Sequence, residues 1–483
     1  MYADIRKSVR GARHSGTAMV AAAAGVAWTV ALAAGCHTAS ACRDDCVARC
    51  VGERMGFELA QRQCVGQLVL PNGASLGDGL TEDEAALIAL WNNAAFQELL
   101  ADLDIAQADL VQAGLLPNPE VGYFFAVSEK PFKYVFDFPL EALWLRPIKI
   151  AAAEREEARI CEKLSQAALD LIRDVRLAYA DTLLAQGKLR VSEEAIAVRT
   201  SIANAAQVKL DAGETSPQES VTANLDLLQA KQDAVKTRFD VSVAEEKLRH
   251  LMGLGLDRTP LRLEPLATPL RSDLDAESLA GDAVATRPDA QAAEQNAAAA
   301  AERLRLSRVN WVRFLGIGDA TSGRDKGHEL GPAFRVTLPI FNWNEGNIAR
   351  AEAELEKAER QRDTIRDQIL YDVHAADYHY QQARYEMEIL TRQVRPEAEA
   401  AIRRAELAYK EGNTPYVVVL ETTRQLLDSR LREEQLKSDL HRAWAELERA
   451  VGRRLGASDG KIKPLPSVDD PASKTAPEPA PSP

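Results

Sequence analysis

Along most of the chain the hydrophobic positions recur every three or four residues, and in only a few short windows does the rhythm become every second residue. From Glu141 to Asp211, Ile160, Leu164, Leu171, Val175 and Ala178 are spaced by threes, fours and sevens, and Pro147 is the only proline. That spacing predicts one helix over the whole span. From about Asn347 to Lys410, the positions Ile365, Ile369, Val373, Ala376, Tyr380 and Ala383 keep the same rhythm on one face and predict a second. Each is roughly 65 residues long, which at about 1.5 Å per residue makes a rod on the order of 100 Å, far longer than ordinary globular helices. Upstream, Thr81 precedes Glu84 by three residues and then an alanine and leucine run, a capping box that opens a helix running to about Leu115.

The chain repeats itself at a period too long for a solenoid. The stretch "VKLDAGETSPQESV" closes the first long helix and "ELAYKEGNTPYVVVL" the second, each with a glycine (Gly213, Gly412) followed by threonine and proline. Each reads as a helix stop, a tight turn and a restart. Further on, "AEEKLRHLMG" and "AWAELERAVG" match Ala244 with Ala443, Leu248 with Leu447 and Gly253 with Gly452, an offset of 199 residues. Two copies of one unit are therefore expected, residues 80–262 and 263–453, each a long helix folded back on another.

Between the helices the period-two windows predict a β-hairpin in each repeat, at about 119–141 and 311–341. Tyr134, Phe136 and Phe138 share one face and Lys133, Val135 and Asp137 the other; Phe334, Val336, Leu338 and Ile340 likewise oppose Ala333, Arg335, Thr337 and Pro339. Polar loops, "SEKPFK" and "SGRDKGHEL", are expected to join the strands, of which the one around "WVRFLGIGDAT" alternates less cleanly. Pro117 and Pro119 mark the helix-to-strand transition, because neither continues a helical ladder and each holds the residue before it extended. Tilted strands of this length fit a bilayer, although a half-buried sheet in water has the same alternation. In lipid, four strands cannot close and an open edge cannot stand. Two copies would make eight strands around a filled interior, and three would make twelve around a lumen.

Composition supports the helical reading, with only 6% aromatic residues, and a net charge of −13 excludes a nucleic-acid binder, whose phosphate contacts demand a basic face. Arg6, Lys7, Arg10 and Arg13 precede the apolar run "TAMVAAAAGVAWTVALAAGC", which has the regions of a secretory signal over residues 1–35. Its ending resembles the bacterial lipobox and makes Cys36 the expected lipidation site, with Ala33 standing where leucine is commonest. Simple cleavage and a retained span are the alternatives. In the extension 36–79, Cys42, Cys46, Cys50 and Cys64 are expected to form disulfides in an oxidising compartment. A metal held by Cys42, Cys46 and Cys50 on one helix face is the alternative. Cys161 reads as a small buried hydrophobe. Residues 454–483 form a Pro-rich tail expected to be disordered.

The order helix, "AGLLPNPEVGYFF", hairpin, "FPL", long helix with a glycine turn, then the whole again, resembles the TolC-like outer membrane efflux proteins over about residues 80–453. The most specific pieces are "AGLLPNPEV" and "LAYKEGNTPYVVVLETTRQLLDSRL". The resemblance implies a mainly α fold with a transmembrane β-barrel portion. Two repeats of coiled-coil hairpins, each with a β-hairpin, would form a homotrimer with a twelve-stranded barrel in outer membrane lipid and a periplasmic α-barrel. It also implies an exit duct that partners a periplasmic adaptor and an inner-membrane transporter. The adaptor would meet the turns at Gly213 and Gly412, and the closing residues would be Tyr409, Leu420 and Glu421, with Val418 standing where a second acid is often found. A ring of Glu421 carboxylates would attract cations, and a ring of Val418 would form an apolar constriction.

No catalytic constellation is present: His374 and His379 lack the HExxH order, and "GLGLD" and "GIGD" lack the strand-to-helix setting of a phosphate cradle. Neither an enzyme nor a cofactor is expected. The competing class is a lipid-anchored periplasmic scaffold or adaptor that conducts nothing. Metal export is suggested only by "NPEV" and the cysteines, since specificity in such systems resides mostly in the inner-membrane pump.

Overall fold

The computed structural model describes residues 45–57, 70–71, 76, 79–125, 132–255, 257–266, 275–310, 314–323, 327–336, 340–411 and 413–455. The signal segment, Cys36, Cys42, Cys64, Gly412 and the tail beyond residue 455 lie outside them, as does the side chain of Cys46. In chain order the elements are α1 (Asp45–Met55), α2 (Glu82–Asn92), α3 (Ala94–Gly114), β1 (Glu120–Phe124), β2 (Phe132–Pro139), α4 (Glu141–Asp211) and α5 (Pro217–Leu251). There follow α6 (Ala276–Thr286), α7 (Pro288–Val309), β3 (Phe314–Gly323), β4 (Gly327–Val336), α8 (Glu345–Ile389), a π segment (Leu390–Val394), α9 (Arg395–Lys410) and α10 (Tyr416–Val451). The chain divides into two compact units, one of Met1–Arg43, Asp102–Ile160 and Glu294–Arg360 and one of Asp44–Ala101, Cys161–Ala293 and Gln361–Pro483.

The first unit carries one antiparallel sheet in the order β1-β2-β3-β4, so β2 and β3 splice the hairpins of the two repeats together. Register places Val121, Phe136 and Gly318 on one line across the sheet, and Tyr123, Tyr134, Ala320 and Leu330 on the next. These share a face with Phe138 and Phe334, while Glu120, Lys133, Asp137, Asp319, Glu329 and Arg335 occupy positions on the other. The "SGRDKGHEL" segment is mostly strand and not loop: Gly323 pairs with Gly327, and His328 and Glu329 sit in β4. Ladder hydrogen bonding overrides their polar composition. Where α3 stops, Arg146 Nε of α4 donates to the Gly114 carbonyl at 2.7 Å, satisfying a helix-end acceptor. At the start of α8, Asn344 adopts φ 69° and its side chain donates to the Ser307 carbonyl at 2.7 Å. Small side chains let α7 and α8 approach closely, with Ala297 and Ala300 against Ala358 and Leu355.

In the second unit the predicted stripe on α8 is the core: Ile369, Val373, Ala376, Tyr380 and Ala383 are buried against Leu440, Ala443 and Leu447 of α10 and Leu279 and Ala283 of α6. Leu164, Leu171, Val175 and Ala178 of α4 are buried as well. Thr81 closes its capping box with Glu84, but the helix expected to reach about Leu115 breaks at Asn93. Asn93 Oδ1 accepts from Phe96 N at 3.0 Å and its Nδ2 donates to the Leu251 carbonyl at 2.9 Å, so the side chain starts α3 and caps α5 together. In the second repeat Arg287, 1% exposed, stands between α6 and α7 and donates to the Ala450 carbonyl at 2.9 Å. Gly253 (φ 73°) and Gly452 (φ 79°) end the two returning helices.

The second long helix also departs from the expected uniform rod. It passes through the π segment at Leu390–Val394 before resuming as α9. Pro396 explains the interruption, since it has no N–H to donate and its ring would meet the carbonyl one turn back. Ala197 stands at the equivalent place in α4, which is α-helical throughout.

Candidate functional site

Two places hold the residues singled out in sequence. At the helix-to-strand transition, Pro117 and Pro119 are exposed and non-helical between the end of α3 and the start of β1. Large apolar side chains crowd the surface of this unit: Val121, Tyr123, Phe124 and Phe125 in and just after β1, Leu143 and Trp144 at the start of α4, and Phe341 (98% exposed) and Trp343 before α8. Tyr123 and Phe125 stack edge to face with ring centroids 4.7 Å apart. Trp144 and Trp343 share the 199-residue offset of the repeat glycines, a signal that was visible in the sequence and overlooked there. Amphipathic rings of this kind favour a membrane–water interface. Among the described residues no helix is long and apolar enough to cross a membrane.

At the turn of the first helical hairpin, α4 stops at Asp211, Gly213 takes φ 73°, and Ser216 accepts from Glu219 N at 3.3 Å to start α5 at Pro217. A Cβ built on Gly213 meets nothing within 4 Å, so backbone conformation alone requires glycine there. In the second hairpin α9 ends at Lys410 and α10 starts at Tyr416 behind Pro415.

The four closing residues separate into two pairs. Tyr409 and Leu420 pack with Ile202, Ala203, Ala206 and Ala223, so they form the seam between the first hairpin and the second. Lys209 Nζ sits 3.6 Å from the Tyr409 ring centroid, a cation–π contact across that seam. Val418 and Glu421, three residues apart on α10, are exposed on the same helix face. Glu421 Oε1 accepts from Gln425 Nε2 at 3.3 Å. Lys209 carried no sequence signal, because its partner is 200 residues away.

Among the described residues nothing covers two apolar stripes in the second unit. On α5, Val221, Leu225, Leu228, Val235, Phe239 (68% exposed) and Val243 recur at coiled-coil spacing. On α8, Tyr371, Tyr378 and Tyr385 recur every seventh residue on the face away from the buried stripe.

The cysteines differ from expectation. Cys50 is a free thiol, half-buried on α1, and not a disulfide partner. Cys161 is disulfide-bonded and not merely a small apolar filler. Among the described residues no group of three or more His, Cys, Asp or Glu could hold a metal ion.

The family pattern of the outer membrane efflux proteins matches residues 146–254 and 279–453. Among curated proteins the chain is similar to the cobalt-zinc-cadmium resistance protein CzcC of Cupriavidus metallidurans, 25% identical over 392 residues that cover 77% of this chain and 90% of that protein. Solved structures with the same fold include CusC, at TM-score 0.67 and 16% identity over 81% of this chain and 99% of that one. VceC of Vibrio cholerae superposes at TM-score 0.66 and 18% identity over 77% of this chain and 96% of that one.

Proposed function

Because this chain belongs to the outer membrane efflux protein family, whose members are channels and not enzymes, we propose that three copies of it form a passive exit duct of a tripartite pump. The observation that carries this reading is the pair of open sheet edges. Among the described residues β1 and β4 each pair with one strand, and the register sets aromatic positions opposite charged ones. An edge with unpaired N–H and C=O groups is untenable in lipid, so β4 of one copy pairs with β1 of the next until twelve strands close. The exposed stripes on α5 and α8 support the same ring, the α5 stripe of one copy mating with the α8 stripe of the next to continue the barrel as a periplasmic tube.

In this arrangement Pro117 and Pro119 convert the wall from helix to strand at the membrane boundary, and Trp144 and Trp343 fix the depth of insertion. Cys36 carries the lipid anchor. The turns at Gly213 and Gly412 face the periplasmic adaptor, beyond which stands the inner-membrane transporter. Val418 and Glu421 ring the entrance, while Tyr409, Leu420 and Lys209 hold each copy's two hairpins together. Divalent metal ions are the proposed cargo, supported by the similarity to CzcC and by the attraction of a carboxylate ring for cations.

The test is reconstitution of the detergent-extracted protein in planar bilayers beside gel analysis with and without boiling. Heat-modifiable trimers and unitary conductance are expected. A chain that is a non-conducting monomer in water once its anchor is removed would overturn the duct and leave a lipid-anchored scaffold in its place.

A further inference from the structure

Helix α10 carries the face of Val418 and Glu421 well beyond the turn. Val418, Glu421, Gln425, Asp428, Arg432 and Gln435 follow one another at alternating spacings of three and four, and all are exposed, while Val419, Thr423 and Leu427 between them are buried. One side of the helix therefore stays open to water. On it Asp428 stands one heptad behind Glu421, about 10 Å along the axis at about 1.5 Å per residue. Asp428 Oδ2 lies 3.9 Å from Nε of Arg424, and both side chains are mostly exposed, so water screens that pair. Two neighbouring guanidinium groups are committed sideways, Arg430 to Glu194 of α4 and Arg395 to Glu433 at 3.3 Å.

Arg432, the next charge on the stripe, is held differently. Its Nη2 donates to Oε2 of Glu386 on α8, and Gln382 Nε2 donates to Oε1 of the same carboxylate at 2.9 Å. The hydrogen bonds from Gln382 and Arg432 keep the Glu386 carboxyl below the usual carboxylate range, so it is ionised and cancels the guanidinium. The pair lines a cavity of about 370 Å³ between α8 and α10, which keeps it within reach of water.

We propose that this stripe is the wall along which cargo moves beyond the entrance, and that two groups on it set charge selection. Asp428 supplies a second carboxylate ring behind Glu421, the acid that Val418 does not provide. Glu386 is a positioning residue: it neutralises Arg432, whose bare charge would repel the cations that the carboxylates admit. The inference rests on the reading of the chain as a duct.

The experiment records the reversal potential of the full chain in planar bilayers under a potassium chloride gradient, with each variant first shown to run as a heat-modifiable trimer. Asp428→Asn should shift the potential toward that of an unselective pore. Glu386→Gln should shift it the same way, because Arg432 keeps its charge, and Arg432→Gln should shift it oppositely. The variant carrying both Glu386→Gln and Arg432→Gln should return to the native value, which a merely structural role for the pair would not produce. Current through Asp428→Cys should step when a charged, water-soluble thiol reagent is added, and current through the native chain should not. If Asp428→Asn forms no trimer, Asp428→Cys decides. A native chain that conducts nothing overturns the duct and this inference with it. A conducting native pore overturns this inference alone if Asp428→Asn keeps the native potential, if Glu386→Gln and Arg432→Gln do not shift it in opposite directions, or if Asp428→Cys ignores the reagent.

Discussion

Three glycines with left-handed backbone, Gly213, Gly253 and Gly452, offer an internally controlled test of which turn is held by packing and which is left open for a partner. Substituting alanine imposes the same conformational cost at each, about 1–2 kcal/mol for an L-residue at positive φ. At Gly213 nothing more is added, because the new methyl meets no atom within 4 Å. At Gly253 it would lie 2.3 Å from the carbonyl oxygen of Asn92, a backbone atom at the break between α2 and α3. The break would have to move, and overpacking of that kind adds roughly 1–3 kcal/mol. At Gly452 the obstacle is Cγ of Arg287, 2.8 Å away, a side chain already committed to the Ala450 carbonyl. The expected order of destabilisation is Gly253→Ala, then Gly452→Ala, then Gly213→Ala, read as loss of protease resistance or of ellipticity at a fixed denaturant concentration. Gly213→Ala should in addition weaken adaptor capture by more than its small stability loss explains. If Gly213→Ala destabilises as strongly as Gly253→Ala, the turn is not open and the assignment of that surface to a partner fails.

Other consequences are measurable with single substitutions. Burial pushes the Glu82 carboxyl up to about 7, with Arg176 opposing the shift and Asp83 and Glu448 adding to it. A carboxyl whose folded value lies above its unfolded one binds its extra proton only when folded. The associated stability is therefore full below the ordinary carboxylate range and is lost as pH rises to about 7. Glu82→Gln should flatten that slope, and an unchanged slope would refute the assignment. Glu421→Gln should move the reversal potential in a salt gradient toward that of an unselective pore, while Val418→Asp should move it the other way; no change in either removes these residues from the conduction path. Phe239→Glu or Tyr378→Glu should abolish the heat-modifiable trimer at unchanged helix content, and a persistent trimer would place the copy-to-copy contact elsewhere.

Much of the fold was legible because it rests on local periodicity. The α8 stripe from Ile369 to Ala383 and the extent of α4 follow from spacing alone. The break at Asn93 was hidden by alanine and leucine patterning that continues on both sides of it, although Asn is a favoured helix-starting residue. Pro396 likewise announced a disturbance, but the surrounding heptads masked its form. The candidate site was less legible for a different reason. Resemblance places Tyr409, Val418, Leu420 and Glu421 near one another, yet only the packing of Ala206 and Ala223 shows which pair turns toward the first hairpin. Cys161, alone within a long helix, has no neighbour in sequence to betray a bond.

The π segment has a consequence for the mouth of any ring built from this chain. The stretch from Trp144 to Gly213 has as many residues as the one from Trp343 to Gly412, yet only the second is underwound. A wide turn absorbs about one extra residue, which rotates everything beyond it by roughly 100°. The two hairpin turns, which share a glycine, a threonine and a proline, are therefore reached by helices with different winding. In the proposed trimer the six tips would alternate between two kinds, so a sixfold ligand would meet two classes of berth and a threefold one a single class.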